Sequence, residues 1–386
     1  MNAVDPTYPL FPIAEVISSA MLLLVLLNSY LRHNWNLGVA FLCFWLFLEN
    51  LMNAAGAVIW SDNADIKLYA YCDIVSHLQM IVYVVKPMAT LIITRRLYLV
   101  ISDHSVDSSS KAARRNLVVE WTLGLVIPLL VAGPIYYIHQ AFRFAVDEGF
   151  GCGNSIIPSI LELLTLESWT VVPPRVSVIF YYPRVIRLFY RQSRVSDSFV
   201  CSGNSSTITR TSYFRILILA SIDILLTLPF GIVSIVLTIT AALSPPAYYP
   251  FYPGWTYLHT DWEPVAYTYA DTIAGGISNL AQLYFAQWTS PVLAFVIFGL
   301  FGWTAEARQS YWDVVCTIGA WFGWKQNARK NGHPAFESLG EMQFGTRPLD
   351  TVQDVETGTP PPIYRASMTD KDTRYAPHEC EPDRCQ

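Results

Sequence analysis

Long apolar stretches separated by short polar segments dominate the pattern of this chain. A helix needs about 20 mostly apolar residues to cross the hydrocarbon core of a bilayer. Seven stretches meet this requirement, at residues 11–31, 38–60, 70–99, 117–138, 160–190, 213–241 and 266–301. The pattern therefore predicts an all-α membrane protein, built as a GPCR-like bundle of seven transmembrane helices.

Basic residues are concentrated in the connections on one side of this predicted bundle. That side carries Arg32, Arg95, Arg96, Lys111, Arg114, Arg115, Arg184, Arg187, Arg191, Arg194, Arg210 and Arg215. The opposite side carries only Lys67 and Arg143, among several acidic residues. Because cytoplasmic loops are enriched in Lys and Arg, we expect the N-terminus outside the cell and the C-terminus in the cytoplasm.

The composition excludes an ordinary soluble protein. Apolar residues make up 53% of the 386 residues and charged residues 14%, against about 25% charged residues in soluble domains. The mean hydropathy is +0.33. The first apolar stretch lacks a basic segment before it and is followed by similar stretches, so we interpret it as a membrane span rather than a cleaved signal peptide.

The chain divides into three predicted parts. Residues 1–302 form the membrane domain, and residues 303–324 mix aromatic with charged residues, as is typical of an amphipathic helix on the membrane surface. An ordinary cytosolic segment is the alternative for 303–324. Residues 325–386 are polar and proline-rich and cannot bury a core, so we expect a disordered cytoplasmic tail.

Ionisable residues inside the predicted spans point to function or to interhelical bonding, because they are costly in lipid. Those near the outer ends are candidate ligand contacts, namely Asp73, His77, Glu162 and Glu167. Lys86 and Asp223, nearer the middle of their spans, are candidates for an internal ion pair. For any one of these residues, the alternative is a structural hydrogen bond or ion pair between helices.

Two cysteines fall on the predicted outer side. Cys72 begins the third span and Cys152 lies in the second outer loop. The exterior is oxidising, so a disulfide between them is chemically allowed and would hold the loop over the mouth of the bundle. Two unpaired thiols remain the alternative.

Several classes of seven-span protein can be weighed against these residues. Residues 266–301 contain no lysine for a retinal Schiff base, and His77, His139 and His259 are isolated rather than spaced as zinc ligands. We therefore expect that the protein is not an enzyme and that it binds no metal, no cofactor and no nucleic acid. A receptor remains, with a diverged transporter as the alternative, although no internal repeat is visible.

Short motifs, in order, carry a resemblance to one receptor family. They are Tyr71-Cys72-Asp73, Pro87, Arg95-Arg96-Leu97-Tyr98, Gly151-Cys152, Pro173-Pro174, Tyr213-Phe214-Arg215, Pro229, Ser290-Pro291 and Phe298-Gly299-Leu300-Phe301-Gly302. Across about residues 10–320 the chain resembles the fungal mating-pheromone receptors for farnesylated, a-factor-type peptides, which are class D G-protein-coupled receptors. Rhodopsin-like motifs are absent, because span three ends in Thr94-Arg95-Arg96 rather than Asp-Arg-Tyr.

The resemblance implies a multi-pass plasma-membrane receptor that binds a farnesylated peptide and signals through Gα of a heterotrimeric G protein. It also implies the Cys72–Cys152 disulfide. A non-mating orphan receptor of the same fold is an alternative, and homodimerisation stays open. Lys86 beside Pro87, and Asp223, depart from the usual family pattern.

We place the ligand by hypothesis under the outer loops. The candidate contacts there are Arg143, Asp147, Glu148, Trp255, His259, Asp261 and Glu263. The alternative for the aromatic residues around them is an interfacial belt. The candidate contacts with Gα are Arg95, Arg96, Arg184, Arg187 and Arg215, whose alternative role is to keep their loops cytoplasmic.

Overall fold

A computed structural model describes residues 3–31, 36–102, 110–197, 205–243, 249–304 and 307–309. The predicted surface helix 303–324 lies almost entirely outside the described residues, and the predicted tail 325–386 lies wholly outside them. Within these ranges, six helical segments are long and apolar enough to cross a membrane. They are Leu10–Leu31, Leu37–Ile59, Tyr69–Val100, Lys111–His139, Phe214–Thr240 and Ile277–Gly302. The multi-span character of the chain is therefore confirmed.

The helices are named in chain order. They are α1 (Leu10–Leu31), α2 (Leu37–Ile59), α3 (Tyr69–Ser102), α4 (Ser110–Trp121), α5 (Ile127–Leu130), α6 (Tyr136–His139), α7 (Ile160–Glu162), α8 (Ser168–Val176), α9 (Tyr182–Asp197), α10 (Ser205–Leu243), α11 (Trp255–His259), α12 (Tyr269–Ala274) and α13 (Ile277–Ile297). Helices α4–α6 belong to one continuous run over 110–139, and α7–α9 to another over 160–197. The second run is not among the six apolar segments, since Glu167, Arg175 and two prolines dilute its apolar residues.

Single π-helical turns interrupt these two runs and end the last span. They are Thr122–Val126, Val131–Ile135, Leu163–Glu167, Ser177–Tyr181 and Phe298–Gly302. Several lie beside Pro or Gly, such as Pro134 and the Pro173-Pro174 pair four residues before Ser177. Proline removes a backbone donor and crowds the preceding turn, so the helix accommodates it by widening or bending.

Helix α3 lies at the centre of the bundle. It packs against α2, α8 and α10, and its apolar residues join the largest buried cluster, which draws on α1, α2, α3, α10 and α13. Many exposed side chains are large and apolar, for example Leu225 at 71% and Ile277 at 87% exposure. Such a surface suits lipid rather than water, since soluble monomers rarely expose large apolar patches.

A small sheet covers one end of the bundle, so the prediction of an all-α protein was incomplete. Its strands are β1 (Ala145–Asp147), β2 (Gly151–Gly153) and β3 (Val265–Tyr267), in the order β2-β1-β3. Strands β1 and β2 pair antiparallel, whereas β1 and β3 pair parallel. We call this the sheet end of the bundle, and the other end, with Arg95, Arg96 and Arg184, the basic end.

The predicted span 266–301 begins too early. Residues 265–267 form β3, the short helix α12 follows, and α13 starts only at Ile277. Gly276 separates the two helices with a φ of 95°, a conformation that favours glycine because a Cβ would clash with the backbone. The apolar composition of residues 266–276 had concealed this break.

The sheet lies directly on the end of α2. The N–H of Gly149 donates to the carbonyl of Trp60 at 2.7 Å. Gly151 has a φ of 98°, and a Cβ there would lie 2.8 Å from the Cα of Gly56. Two backbones therefore meet at a distance that only glycines allow.

We predict that Gly151→Ala loosens this contact. Steric overlap with α2 and the positive φ together should cost about 2 kcal/mol of unfolding free energy, measured as a lower Tm of the detergent-purified protein. Gly254→Ala is the matched control, because Gly254 also has a positive φ but no atom within 4 Å of the Cβ position. Equal losses in both variants would show that backbone strain, rather than the contact with Gly56, accounts for the effect.

Candidate functional site

A cavity of about 290 Å³ leads from the sheet into the bundle. Asp147, Gly153 and Asn154 line it at the sheet end, and Glu49 and Lys86 line its floor. Its walls come from α2, α3, α8, α10 and α13. A cavity that joins a polar mouth to a charged floor is a suitable site for a ligand with polar groups.

The floor is a bonded group that ties three helices together. The ammonium group of Lys86 on α3 donates to the hydroxyl of Ser290 on α13 at 2.7 Å. Ser290 donates to a carboxylate oxygen of Glu49 on α2 at 2.5 Å. Lys86 and Glu49 also form an ion pair at 3.4 Å. Lys86 therefore forms its ion pair with Glu49 rather than with the candidate Asp223, which interacts with Lys86 electrostatically without direct contact.

Asp223 forms a second polar contact deeper in the bundle. It is 1% exposed and accepts a hydrogen bond from the hydroxyl of Thr90, which connects α10 to α3. One turn further along α3, Thr94 donates to Ser177 at 3.2 Å. Side chains paired across helices in this way stabilise a bundle where lipid offers no hydrogen bonds.

The disulfide between Cys72 and Cys152 is present, with a Cα–Cα distance of 5.2 Å. It joins the first turn of α3 to β2 and confirms the prediction from sequence. The side chain of Gln79 reinforces this junction, because its amide donates to the carbonyl of Cys152 at 3.1 Å. It also accepts from the N–H of Asn154 at 3.2 Å.

Two of the candidate ligand contacts bind each other. The guanidinium group of Arg143 donates to both carboxylate oxygens of Asp73, at 2.9 and 2.6 Å. Asp73 raises the pKa of Arg143, which also lies over the ring of Tyr69. A bidentate pair of this kind has a fixed geometry. Asp73 and Arg143 thus attach the second loop to α3, and neither lines the cavity described above.

The other polar candidates of the second loop and of the 160–197 run have separate positions. Asp147 lines the cavity mouth, whereas Glu148 accepts from the N–H of Tyr269 at 2.9 Å and so links the loop to α12. Glu167 accepts from the hydroxyl of Tyr83, a cavity residue, at 2.6 Å. Glu162 is buried and is the last residue of the short helix α7.

His77 faces Tyr136 rather than the cavity. Their rings meet edge to face with centroids 5.3 Å apart, and the His77 Nδ1 atom lies 2.8 Å from the carbonyl oxygen of Asp73. The structure therefore places His77 in the packing between α3 and α6.

The candidates of the third loop form an aromatic group at the sheet end. The ring of His259 stacks on Trp255 at 4.0 Å and on Trp262 at 5.2 Å between centroids. Tyr137 of α6 packs against the same three rings. Asp261 and Glu263 are exposed beside this group.

A second, wider groove of about 680 Å³ lies between α10, α13 and the loops at the sheet end. Leu237 and Thr238 of α10 line one side, Ser278 and Gln282 of α13 the other, and Tyr257 lies at its rim. Tyr257 is 69% exposed. The groove is a lateral recess among apolar, aromatic and small polar side chains.

The arginines of the basic end are partly engaged with the protein. Arg95 donates to Asn116 at 2.7 Å and Arg96 pairs with Glu120 at 3.1 Å. Arg184 lies over the ring of Tyr98 at 5.9 Å. Arg187 is exposed and Arg215 is half-buried. They share one end of the bundle, as the basic pattern predicted.

Gln79 and Tyr83 line the cavity but were not among the ligand contacts predicted from sequence. With Lys86 they occupy positions i, i+4 and i+7 of α3, which places them on one helical face. All three line the cavity. This spacing is a signal from which the polar wall of the cavity could have been predicted. Phe230 and Phe285 also line the cavity, where their rings stack with centroids 4.5 Å apart, and no spacing in the sequence indicates them.

We predict unequal effects when the buried pair is broken. Lys86→Met should cost about 3–5 kcal/mol of unfolding free energy, because it leaves Glu49 buried without its cation. Glu49→Gln should cost less, since Asp223 remains within the electrostatic reach of Lys86. The double variant should recover part of the loss. Thermal unfolding of the purified protein measures all three.

Lys67→Met is the control for this comparison. Lys67 pairs at 3.9 Å with Asp65, and both side chains are exposed, so its loss should cost less than about 1 kcal/mol. A Glu49→Gln variant less stable than Lys86→Met would contradict the assignment of Lys86 as the cation that balances this cluster.

Asp147 should make the stability of the sheet depend on pH. Burial raises its pKa from 3.8 to about 6. An acid with a raised pKa destabilises the folded state only when ionised, so the penalty is absent below about pH 4 and complete above about pH 6. Asp147→Asn should therefore raise the Tm at pH 7 and not at pH 4.

The expected gain at pH 7 is up to about 2 kcal/mol, because partial contact with solvent reduces the effect. Asn154→Ala alters the neighbouring cavity wall without removing an acid and should keep the pH dependence of the unaltered protein. A Tm difference between Asp147→Asn and the unaltered protein that does not change from pH 4 to 7 would refute this role.

The chain is similar in sequence to a family of known receptors. Residues 10–319 match the family described as Pheromone A receptor. The chain is 26% identical to Pheromone receptor 1 of Ustilago hordei, over 81% of this chain and 82% of the relative. It is 28% identical to Pheromone B alpha 3 receptor of Schizophyllum commune, over 81% of this chain and 49% of the relative.

A further relative carries the name of its ligand. Pheromone a factor receptor of Saccharomyces cerevisiae is 28% identical, over 58% of this chain and 48% of the relative. The match to the family covers well over half of the chain, including every helix that lines the cavity. The protein described here therefore belongs to the pheromone A receptor family, whose members are receptors rather than enzymes.

Proposed function

We propose that this protein is a plasma-membrane receptor for a farnesylated peptide mating pheromone and signals to a heterotrimeric G protein. The observation that supports this proposal most directly is the presence of two recesses at the sheet end, a cavity with a charged floor and a lateral groove. The cavity suits the polar part of a lipopeptide, and the groove suits its lipid. The Saccharomyces cerevisiae relative is a pheromone a factor receptor, which supports an a-factor-type ligand.

The proposed topology has seven crossings, with the sheet end outside the cell. The helical run 160–197 supplies the crossing that completes the six apolar helices. The disulfide at the sheet end supports this orientation, because disulfides persist in oxidising compartments. The arginines at the other end support it as well, since basic loops stay cytoplasmic.

The lateral groove is the proposed site for the farnesyl group. Burial of an alkyl chain contributes about 0.8 kcal/mol per CH₂, so the about 15 carbons of a farnesyl group contribute roughly 8–12 kcal/mol before entropic costs. Leu237 and Tyr257 supply apolar contact area in the groove. The lipid reaches it from the outer leaflet between α10 and α13.

The peptide part is proposed to occupy the cavity below the sheet. Asp147 and Asn154 offer hydrogen-bonding groups at the mouth, and Gln79 and Tyr83 offer them along α3. The Arg143–Asp73 pair and the Cys72–Cys152 disulfide keep the second loop in place above the peptide. These polar groups select the peptide sequence, while the lipid supplies most of the affinity.

Signalling is proposed as a shift between two packings of the bundle. Helix α10 contains Pro229 and borders the cavity through Phe230 and Thr227. A ligand that repositions these residues moves α10 about the proline and opens the basic end to Gα. Arg95, Arg184 and Arg215 lie at that end and are the proposed contacts.

We predict that Thr238→Trp, which fills the groove, raises the concentration of farnesylated peptide needed for a half-maximal response at least about tenfold, equivalent to about 1.4 kcal/mol. The assay is a receptor-null fungal reporter strain challenged with a panel of farnesylated peptides. Val236→Trp is the control, because Val236 is 51% exposed on the same helix and does not line the groove.

The same panel without the farnesyl group tests the role of the lipid. Unfarnesylated peptides should be weak activators of the receptor. The Thr238→Trp and Val236→Trp variants should respond to them equally. An unfarnesylated peptide as potent as its lipidated form would refute the ligand class, and solute uptake without signalling would favour a transporter. Surface expression of each variant is measured in parallel.

A further inference from the structure

Helix α1 carries a buried acid that the proposed ligand site does not use. Glu15 is 0% exposed, and neither of its carboxylate oxygens has a hydrogen-bond partner among the described residues. The amide of Asn53 on α2 lies within reach, without the geometry of a normal hydrogen bond. An isolated buried carboxylate costs several kcal/mol or more, so this position calls for a compensating partner.

A second oxygen without a partner lies on the facing helix. Asn50 of α2 is 0% exposed, and its amide nitrogen donates to Ser18 at 2.7 Å. Its carbonyl oxygen Oδ1 has no partner among the described residues. Ser18 follows Glu15 by one turn of α1, and Asn53 follows Asn50 by almost one turn of α2. The contacts therefore place Glu15 and the Asn50 oxygen on facing sides of the α1–α2 interface.

The charges around this interface do not balance. The buried acids at this interface are Glu15 on α1 and Glu49 on α2, and Asp223 on α10 interacts electrostatically with the same cation, Lys86 of α3. Helix α13 contributes the neutral Ser290, which bonds Glu49. With all four groups ionised, the cluster carries two negative charges in excess. The Oδ1 oxygen of Asp223 also lacks a hydrogen-bond partner among the described residues.

We propose that a monovalent alkali cation binds between α1 and α2, held by the Glu15 carboxylate and the Asn50 Oδ1 oxygen. Carboxylate and amide oxygens are the ligands that hard cations prefer. The Glu15 carboxylate and the neutral Asn50 amide together offer one negative charge, which suits a singly charged ion. Glu49 and Asn53 line the cavity, so the ion enters from the sheet end.

The test measures thermal unfolding of the purified full-length protein in three chlorides at equal ionic strength. Sodium and potassium are the candidate ions, and N-methylglucamine is too large for the site. A bound ion stabilises the folded state by mass action. Sodium or potassium should therefore raise the Tm by at least about 2 °C over N-methylglucamine, in a saturable manner. The two salts distinguish which ion is preferred.

Glu15→Gln should abolish the increase in Tm, because it removes the carboxylate while keeping the shape of the side chain. Glu162→Gln removes an acid that is also buried but lies on α7, and it should keep the increase. If Glu15→Gln does not fold, the saturable increase in the unaltered protein still decides between the outcomes.

Equal Tm values in all three chlorides would overturn the proposal. So would stabilisation by acidification alone without any effect of the alkali ions, since a proton would then occupy Glu15. Retention of the full increase by Glu15→Gln would place the ion elsewhere and would also overturn it.

Discussion

The bilayer offers no hydrogen bonds, so polar side chains inside this bundle depend on partners in the protein, several of them on another helix. Lys86 shows what this constraint produces. Its ammonium group draws Ser290 and Glu49 together, which fixes α2, α3 and α13 around a single point. The cavity exists because these helices are held by polar contacts at its floor and by the sheet above it. Apolar side chains pack about as favourably against lipid as against another helix, so apolar packing alone would not select this arrangement of helices.

The sheet end is restrained by three kinds of interaction that do not depend on one another. The disulfide is covalent, the Arg143–Asp73 pair is ionic, and the close approach of Gly151 to Gly56 depends on the absence of side chains. Together they attach the second loop to both α2 and α3. A mouth held this firmly suits a preorganised binding site, because less ordering entropy is then lost when a ligand binds.

The hydrophobic pattern predicted most of the helices to within a few residues, because apolar length is what a bilayer requires of a span. It failed at 266–276, where β3 and α12 are apolar yet serve to pair with β1 and to cap the bundle. Neither was the partner of Lys86 predictable. Glu49 and Asp223 are both acids near mid-span, and only the rotation of each helix decides which one faces the lysine. The disulfide was predictable because its two cysteines fall on the same predicted outer side of the bundle and few alternatives compete.

Helix α3 connects the two ends of the molecule physically. Its successive turns carry Gln79 at the sheet, Lys86 at the cavity floor, Thr90 against Asp223, and Arg95 at the basic end. Helix α10 meets this series at Asp223, six residues before Pro229 and well below the groove at Thr238. In the proposed signalling, a displacement of α10 in the groove would strain its packing with α3, including the buried Thr90–Asp223 contact. Coupling between the ends needs an element with two discrete arrangements, and the Thr90–Asp223 contact is the element proposed for it. The unpaired Asp223 oxygen makes the broken state less costly than the loss of a fully bonded group, since part of its desolvation penalty is already present when the contact is made.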